Sequence, residues 1–380
     1  MALDALSDAG RGLTVLALNS GSSSLKVGVY HVDAIRTEPL LAETIAISGV
    51  HEAIERVKVL LAKSSLPAPA AIGHRIVHGG LKLRQHGLID ESVLRHLEAA
   101  AAFAPLHAPA ALSVIRFATE HFPGVPQVAC LDTAFHAGLP DVARILPIAG
   151  EMQVDGMQRY GFHGLSYESI VRQLGNDLPD RVVIAHLGNG ASVTAVKGGK
   201  SIDTSMGLTP TGGVVMGTRS GDLDPGVLLY LMREKKFDAA MLEELVDHRS
   251  GLLGISGVSS DMRQLRAVAP SNADARLAIE MFCYSVRKQV AGMIAVLDGI
   301  DLLVFTGGIG EHDAESRAAI CAGMSWLGVS LDPGRNKDAS NPISDSASRC
   351  PVRVIASRED EQIALHSWAL VSGYSPGASS

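Results

Sequence analysis

The chain has few aromatic residues, which occupy 4% of its 380 positions, and only four cysteines. None of the cysteines forms a C-x-x-C pair, so the zinc and redox motifs built on that spacing are absent. No apolar run approaches the roughly 20 residues of a membrane helix, and residues 1–12 lack the basic start and apolar stretch of a signal peptide. These absences predict a cytoplasmic protein with buried, reduced thiols and no membrane partner.

Positive charge is also scarce, since 33 basic residues stand against 40 acidic ones and the formal net charge is -7. This balance argues against a nucleic-acid partner, because non-specific binding needs a basic surface. A small anionic ligand remains compatible with it, since a few arginines dominate the field within a Debye length. By contrast, hydrophobic residues make up 47% and glycine occurs 39 times, which predicts a packed protein of roughly two to three domains with many tight turns.

Two segments have the pattern strand, polar turn, strand. Residues 14–18 and 25–29 flank a turn rich in serine, and residues 181–187 precede a glycine-rich turn and a second strand. The asparagines of the two turns, Asn19 and Asn189, are 189 − 19 = 170 residues apart. This spacing suggests that the chain has two similar halves.

Helical patterns lie between these strands. Asp90 and Asp224 are capping residues that predict the starts of two helices. Apolar residues at intervals of three and four over 279–297 indicate one face of a longer helix, and residues 301–305 form a buried strand that ends in a glycine-rich turn. The mixture of strands and helices predicts an α/β protein.

Three turns at strand ends suit an anion. They are residues 19–26, 188–190 and 306–311, where small residues leave backbone amides open. None of them is a Walker P-loop, which reads G-x-x-x-x-G-K-[ST] and leads into a helix. A plain turn is the alternative for each one taken singly, but the three together predict a nucleotide site.

Charged residues suited to a site lie near these turns or in similar glycine-bounded segments. Arg75, His163 and Arg219 are candidates for binding an anionic substrate, with an exposed turn residue as the alternative for each. Asp132 and the pair Glu359-Asp360 follow strands, where carboxylates serve as Mg²⁺ ligands directly or through water. A helix cap is the alternative for Glu359-Asp360.

Nine short strings follow one another along the chain. They are NSGSSSLK (19–26), GHRIVHGG (73–80), APLH (104–107), DTAFH (132–136), RYGFHG (159–164), HLGNG (186–190), DTSMGLTP (203–210), MGTRSGD (216–222) and TGGIGE (306–311). Taken in this order, the strings resemble the acetokinase family of the actin, sugar kinase and heat-shock ATPase superfamily. The resemblance covers residues 15–364, and its specificity lies in the ordered set of strings more than in any single one.

The resemblance implies an α/β fold of two actin-like (ribonuclease H-like) domains with a nucleotide cleft between them. The expected N-terminal domain comprises residues 13–150 and a C-terminal helix at 362–372, the nucleotide-binding domain comprises residues 151–361, and the loose tails are residues 1–12 and 373–380. It also implies a homodimeric enzyme. The expected reaction is reversible phosphoryl transfer between ATP and acetate, giving acetyl phosphate and ADP, with Mg²⁺ or alternatively Mn²⁺.

The resemblance further implies site residues by matching position. The expected catalytic residues are Arg75, Asp132, His163 and Arg219, and the expected metal-side residues are Asn19 and Glu359, with Asp360 as the alternative to Glu359. The expected substrate pocket consists of Arg75, Val77, Leu106, Phe162 and Pro210. The expected nucleotide-binding residues are Lys26, His186, Leu187, Gly188, Asn189, Gly190, Asp261, Met262, Arg263, Gly307, Gly308, Ile309, Gly310, Glu311 and His312.

Acetate chemistry assigns roles to the charged residues. A carboxylic acid of this kind is ionised at pH 7 and needs no general base. The enzyme must instead bring this anion against the negatively charged polyphosphate of ATP and stabilise the charge of the transition state. We expect Arg75 to bind the substrate carboxylate, Arg219 to bind the transferred phosphoryl group and His163 to donate to an equatorial oxygen. Asp132 is expected to position Mg²⁺, water or Arg219 and not to abstract a proton. The expected mechanism is direct in-line transfer without a phosphoenzyme.

Two alternatives stay open. One is a propionate or butyrate kinase on the same scaffold, and the other is a non-catalytic nucleotide-binding switch, against which the gathered cations argue. The chain departs from the family pattern at Ala108 and His312, where asparagine is usual, and at residues 211–213. The first departure leaves the preferred length of the acid undecided.

Overall fold

A computed structural model describes residues 12–21, 24–46, 50–63, 66–103, 108–154 and 156–373 of the chain. The expected loose tails therefore lie outside the described residues, apart from Gly12 and Gly373. The strands are β1 (Leu13–Ser20), β2 (Ser24–Val32), β3 (Thr37–Ala46), β4 (Ala71–Ile76), β5 (Gly87–Leu88), β6 (Gln127–Leu131), β7 (Arg181–Leu187), β8 (Ala191–Lys197), β9 (Lys200–Thr204), β10 (Leu302–Thr306) and β11 (Val352–Val354).

Helices lie between several of these strands, as predicted. They are α1 (Val50–Lys63), α2 (Glu91–Ala99), α3 (Ala108–His121), α4 (Asp141–Arg144), α5 (Gly150–Val154), α6 (Gly164–Leu174), α7 (Pro225–Glu234), α8 (Ala239–Glu243), α9 (Gly251–Ser256), α10 (Met262–Val268), α11 (Ala273–Val296), α12 (Gly307–His312), α13 (Ala314–Ala322), α14 (Pro333–Asp338) and α15 (Glu359–Ser372). Within the described residues, no helix combines the length and the apolar character that spanning a membrane requires.

The chain divides into two compact units. Unit 1 consists of Met1–Ala137, His163–Ser169 and Arg358–Ser380, and unit 2 consists of Gly138–Phe162 and Ile170–Ser357. The domain boundaries expected at residues 150 and 361 stay a prediction. For comparison, the chain passes from unit 1 to unit 2 after Ala137 and returns to unit 1 after Ser357, apart from the short segment His163–Ser169 that also belongs to unit 1.

Unit 1 is built on a sheet of strand order β3-β2-β1-β4-β6-β5, in which β1, β4 and β6 are parallel. Because successive side chains of a strand point to opposite faces, β1 contributes to two cores. Val15 and Ala17 pack with Trp368 of α15, whereas Leu16 and Leu18 pack with residues of α1 and α3. The sheet is therefore covered on both faces.

Unit 2 is built on a sheet of strand order β11-β10-β7-β8-β9. Its antiparallel series β7-β8-β9 and the parallel neighbours β10 and β11 repeat the pairing of β1-β2-β3 with β4 and β6. Both predicted strand–turn–strand segments are confirmed, and the shared pairing order supports the two similar halves. The predicted α/β class is confirmed as well.

Local signals placed two helix starts correctly. Asp90 accepts a hydrogen bond from Val93 N at 2.7 Å, and Asp224 accepts one from Gly226 N at 2.9 Å. The glycine-rich segment after β10, expected as a turn, instead forms the short helix α12. All four cysteines are buried and free, as predicted.

Candidate active site

Three neighbouring parallel strands of unit 1 carry polar residues at their carboxyl ends. Asn19 lies near the end of β1, Arg75 lies near the end of β4, and Asp132 directly follows β6. Residues at the carboxyl ends of parallel strands meet at one edge of a sheet, which is where α/β folds bind ligands. The structure thus brings together three of the predicted site residues.

The Arg75 guanidinium is held by two of its neighbours. Its Nε and Nη2 donate to Asp132 Oδ2 at 2.9 and 2.7 Å, and its Nη1 donates to Asn19 Oδ1 at 3.2 Å. Two parallel hydrogen bonds to a carboxylate restrict the plane of a guanidinium as well as its position. The partner that Asp132 has in the structure is therefore Arg75, which was not among the three partners expected from the sequence.

Two acidic residues at the start of α15 join this cluster through Asn19. Asn19 Nδ2 donates to Glu359 Oε2 at 3.1 Å and to Asp360 Oδ1 at 2.7 Å, and Glu359 Oε2 lies 3.9 Å from Arg75 Nη1. The sequence left open which of the two acids belongs to the site. In the structure both contact Asn19.

The electrostatics of the cluster favour a further cation. Burial raises the pKa of Asp132 although Arg75 opposes the shift, and burial also raises the pKa of Asp360. Burial opposes the charge of Arg75, but Asp132 and Glu359 raise its pKa above the ordinary value. Asp132 Oδ1 is buried and has no hydrogen-bond partner among the described residues. Three carboxyl groups thus share one guanidinium.

His163 lies beside the backbone of Asp132. It is buried with a left-handed φ of 59° and directly precedes α6, whose first residue, Gly164, donates its N–H to Asp132 O at 2.8 Å. A Cβ at Gly164 would overlap this carbonyl oxygen, so only glycine permits the close approach. The predicted catalytic residues Asp132 and His163 are therefore held together through their main chains.

The residues predicted for the acetate pocket belong to both units. Val77 of unit 1 lines a small, largely apolar pocket, whose other lining residues are Ile76, His78, Leu97, Ala108, Ala111 and Leu112. Phe162 and Pro210 are buried residues of unit 2, and Leu106 lies outside the described residues. Ala108, a departure from the family pattern, thus lies in the wall next to Val77.

In unit 2 the turn between β7 and β8 meets two of the other glycine-rich segments. Gly188 N donates to Gly190 O at 3.0 Å, and Gly217 N donates to Asn189 O at 3.0 Å. A Cβ on Gly188 would also contact Gly308 N. The predicted nucleotide residues His186, Leu187, Gly188, Asn189 and Gly190 therefore lie beside the predicted segment that begins at Gly307.

That segment, α12, is anchored at both ends. Glu311 Oε1 accepts the N–H groups of Gly307 and Ser357, both at 3.0 Å, and the buried Arg317 Nη1 donates to the carbonyls of Gly310 and Glu311, both at 2.9 Å. Gly307 has a φ of 78°, and a Cβ there would lie 2.8 Å from Leu187 O. Of the remaining predicted residues here, Ile309 lies in α12 and His312 is its last residue.

The predicted adenosine-side residues around α10 pair with each other. Asp261 caps this helix by accepting from Arg263 N at 2.8 Å, its carboxylate lies 2.6 Å from Arg263 Nη2, and Met262 is buried. Lys26 is an exposed residue of unit 1, opposite Asn19 in the pairing of β1 with β2. It therefore belongs to the same hairpin as Asn19.

Arg219 is a buried residue of unit 2. Its Nη1 donates to Pro210 O at 2.7 Å, so the structure brings a predicted catalytic residue and a predicted pocket residue into contact. Met216 N donates to Arg219 O at 3.1 Å, and Ser220 N donates to Val246 O at 2.9 Å. These bonds hold the loop by its main chain.

Sequence reasoning missed the buried Arg317 and a cluster of His86, Glu168 and His366 in unit 1. No short motif marks either of them. Their partners are distant in the chain, and only the folded structure reveals their contacts.

Known proteins of similar sequence and structure support the fold. The sequence model of the acetokinase family matches residues 41–365. An acetate kinase of Nitrobacter hamburgensis is 41% identical over 94% of this chain and 96% of its own, and one of Methylocella silvestris is 46% identical over 79% of this chain and 75% of its own.

Solved structures agree with these relatives. A propionate kinase from Francisella tularensis matches with a TM-score of 0.85 and 36% identity, and an acetate kinase from Porphyromonas gingivalis matches with a TM-score of 0.81 and 33% identity. In both cases 94% of this chain and 100% of the other are covered. These similarities confirm the predicted fold class of two actin-like domains.

Proposed function

The chain belongs to the acetokinase family, and from this premise we propose that it transfers a phosphoryl group reversibly between ATP and acetate, giving acetyl phosphate and ADP. The observation that carries the proposal is the buried guanidinium of Arg75, held by Asp132 and Asn19 at the carboxyl ends of three parallel strands. A fixed, buried cation at this edge suits a small carboxylate, which binds a guanidinium through two hydrogen bonds.

The roles of the charged residues follow from the demands of the reaction. Acetate is already a nucleophile at pH 7, so Asp132 has no proton to remove and instead orients Arg75 towards the substrate. Arg219 and His163 donate to the transferred phosphoryl group, where negative charge spreads in the transition state. The transfer is direct and in line, without a phosphoenzyme.

The cluster of unit 1 fits a divalent cation. Its buried Asp132 Oδ1 has no hydrogen-bond partner among the described residues, and oxygen is the ligand that Mg²⁺ prefers. We infer that Asn19, Glu359 and Asp360 would hold Mg²⁺, or alternatively Mn²⁺. Such an ion would supply positive charge to neutralise the phosphate oxygens of the nucleotide.

The nucleotide is assigned to unit 2. The β7–β8 turn, the start of α12 and the capped end of α10 present backbone amides and polar side chains of the kind that bind phosphates and a nucleoside. The ion pair of Asp261 with Arg263 orders the last of these segments. ATP and ADP are abundant cytoplasmic metabolites, and the four free thiols agree with a reducing compartment, so we place the enzyme in the cytoplasm.

Propionate is the second candidate acid, because a solved propionate kinase is among the similar structures. The pocket beside Val77 is small, and both Val77 and Ala108 present apolar atoms to it. One extra methylene in such a pocket changes selectivity by about 10- to 200-fold. We assign acetate as the preferred acid because Val77 limits the pocket.

One assay tests both the reaction and the acid. Purified protein is incubated with ATP, Mg²⁺ and acetate, propionate or butyrate, and the acyl phosphate is trapped with hydroxylamine. We expect acetyl phosphate, the highest kcat/KM for acetate, and loss of product when EDTA removes the divalent cation. Absence of any acyl phosphate would contradict the enzymatic function and favour a nucleotide-binding switch. A higher kcat/KM for propionate would contradict the choice of acid alone.

We further propose that the enzyme is a homodimer whose contact lies on unit 2. Helix α7 has no buried residue and exposes Leu229, Tyr230 and Met232, and α11 exposes Met281 and Tyr284. Large exposed apolar side chains in such numbers are typical of an interaction surface. A second copy of the chain is the partner that the family resemblance implies.

Sedimentation tests this proposal. The wild-type protein is expected at the mass of two chains, and Met232→Glu is expected to shift it towards one chain because a buried, unpaired carboxylate destabilises an apolar contact. Val142→Glu, at an exposed apolar residue of α4, serves as the matched control and should leave the mass unchanged. A monomeric wild-type protein, or a dimeric Met232→Glu variant, would contradict the proposed interface.

A further inference from the structure

Unit 1 contains a second polar cluster that the proposed mechanism does not use. It consists of His86, Glu168 and His366, whose donor atoms all lie within 4.8 Å of one another. His366 Nε2 lies 2.6 Å from Glu168 Oε2, and His86 Nε2 lies 3.6 Å from Glu168 Oε1. The two imidazole rings are 3.8 Å apart between centroids. Glu168 therefore forms a hydrogen bond with His366 and faces His86 at a longer distance.

Each member of the cluster is linked to a part of the chain that carries a proposed site residue. Leu131 N, directly before Asp132, donates to His86 Nδ1 at 3.0 Å. Glu168 lies in α6, which begins directly after His163. His366 lies in α15, about two turns after Glu359. The cluster thus connects β6, α6 and α15, which are distant in the sequence and each of which carries or adjoins a proposed site residue.

Two histidines and a carboxylate are also a donor set for zinc, but the geometry favours hydrogen bonds. His86 Nδ1 accepts the N–H of Leu131, so in a neutral ring the proton is on Nε2, the nitrogen that faces Glu168. A nitrogen that carries a proton does not bind a metal. The 2.6 Å between His366 Nε2 and Glu168 Oε2 is also shorter than the roughly 3.3 Å between two donors of one tetrahedral zinc ion.

The cluster is charged as well as hydrogen-bonded. Burial opposes ionisation of Glu168, but the neighbouring imidazoles of His366 and His86 lower its pKa to about 2. The carboxylate therefore stays ionised at neutral pH. A charge that is nearly buried, hydrogen-bonded to His366 and 3.6 Å from His86 has little freedom to move, which makes Glu168 a rigid link between the three segments.

We propose that Glu168 is a positioning residue for the reaction, which aligns Asp132, His163 and the start of α15 by holding His86 and His366. This inference rests on the proposed phosphoryl transfer. Its physical basis is that catalysis depends on the placement of groups to within a fraction of an ångström, and a displacement of 1 Å costs about 100-fold in rate. A link that stabilises the fold without aligning the site would not change the turnover of the folded enzyme.

Glu168→Gln tests this role with little change in volume. Glutamine keeps one acceptor oxygen but places an NH₂ group against one of the two histidine N–H groups. We expect kcat to fall about tenfold or more, with KM for ATP changed less than about twofold, because the nucleotide segments are in unit 2. Glu98→Gln, at an exposed residue of α2 paired with Arg116, removes the same charge and should keep wild-type kcat.

Two variants of His366 test whether the change in kcat depends on the hydrogen bond between His366 and Glu168. This test remains available if Glu168→Gln does not fold. Glutamine can place an amide N–H where His366 has Nε2, whereas leucine cannot, so we expect His366→Gln to keep most of kcat and His366→Leu to lose it. Wild-type kcat in His366→Leu, or equal losses in both variants, would overturn the proposal. Binding of one Zn²⁺ that His366→Leu abolishes would also overturn it in favour of a metal site. Failure of the wild-type protein to form any acyl phosphate would instead contradict the proposed function.

Discussion

Replacing Arg219 with alanine is expected to lower kcat by about two orders of magnitude or more, as for the loss of one preorganised donor to a transition-state charge. The guanidinium is buried and its Nη1 is fixed by Pro210 O at 2.7 Å. Because it acts on charge that develops during the transfer, its loss should affect kcat far more than KM for ATP. Initial rates at saturating acetate, measured over a range of ATP concentrations, separate the two effects.

Two further variants make this experiment specific. Arg219→Lys keeps the charge but loses the planar fork of donors, so its kcat should lie between those of alanine and wild type. Arg335→Ala removes an exposed arginine of α14 in the same unit and should leave kcat unchanged. The loop around Arg219 is held by main-chain hydrogen bonds, so Arg219→Ala should still fold. Near-normal kcat in Arg219→Ala would remove this residue from the catalytic centre.

Replacing Arg317 with alanine is expected to lower the free energy of unfolding of unit 2 by about 3 to 5 kcal/mol. The side chain is 1% exposed and donates to Gly310 O, Glu311 O and both the side-chain and main-chain oxygens of Asn336. Truncation leaves these buried acceptors without a donor and also opens a cavity. Because two of them belong to α12, KM for ATP should rise as well.

Thermal unfolding measures the loss of stability. A change of this size lowers the midpoint by roughly 6 to 20 °C for a unit of about 200 residues. Arg317→Met restores volume without the donors and should remain clearly destabilised, which separates the hydrogen bonds from the cavity. Arg335→Ala is again the matched control, since substitutions at exposed sites usually change stability by less than about 0.5 kcal/mol. Wild-type midpoints for both Arg317 variants would contradict a structural role.

Much of the fold could be predicted because its signals are local. A short apolar run predicted β1 and the alternation of apolar residues predicted β2, and Asp90 and Asp224 marked helix starts that the structure confirms. The segment that follows β10 was harder, because the glycines of Gly307–His312 are typical of a turn. Its helix α12 is stabilised by Glu311 and by Arg317 from the next helix, and these tertiary contacts outweigh the low helical propensity of glycine.

The candidate site was only partly predictable. The motifs named Asn19, Arg75 and Asp132, and parallel strands explain why their positions converge. The pairing of Asp132 with Arg75 was not predicted, and the expectation that Asp132 positions Mg²⁺, water or Arg219 stays a prediction. A carboxylate takes whichever donor the packing of the strands presents to it, and that choice is not encoded in the residues beside it.

By itself, the sequence determined the α/β class, the two similar halves and the short segments that form the proposed site, because periodicity, caps and turns depend on neighbouring residues. Only the tertiary structure decided which side chains face each other. Asp132 meets Arg75 across 57 residues, and Glu168 meets His366 across 198. The physical reason is that hydrogen bonds and ion pairs act over a few ångströms, so their partners are set by the long-range packing of strands and helices.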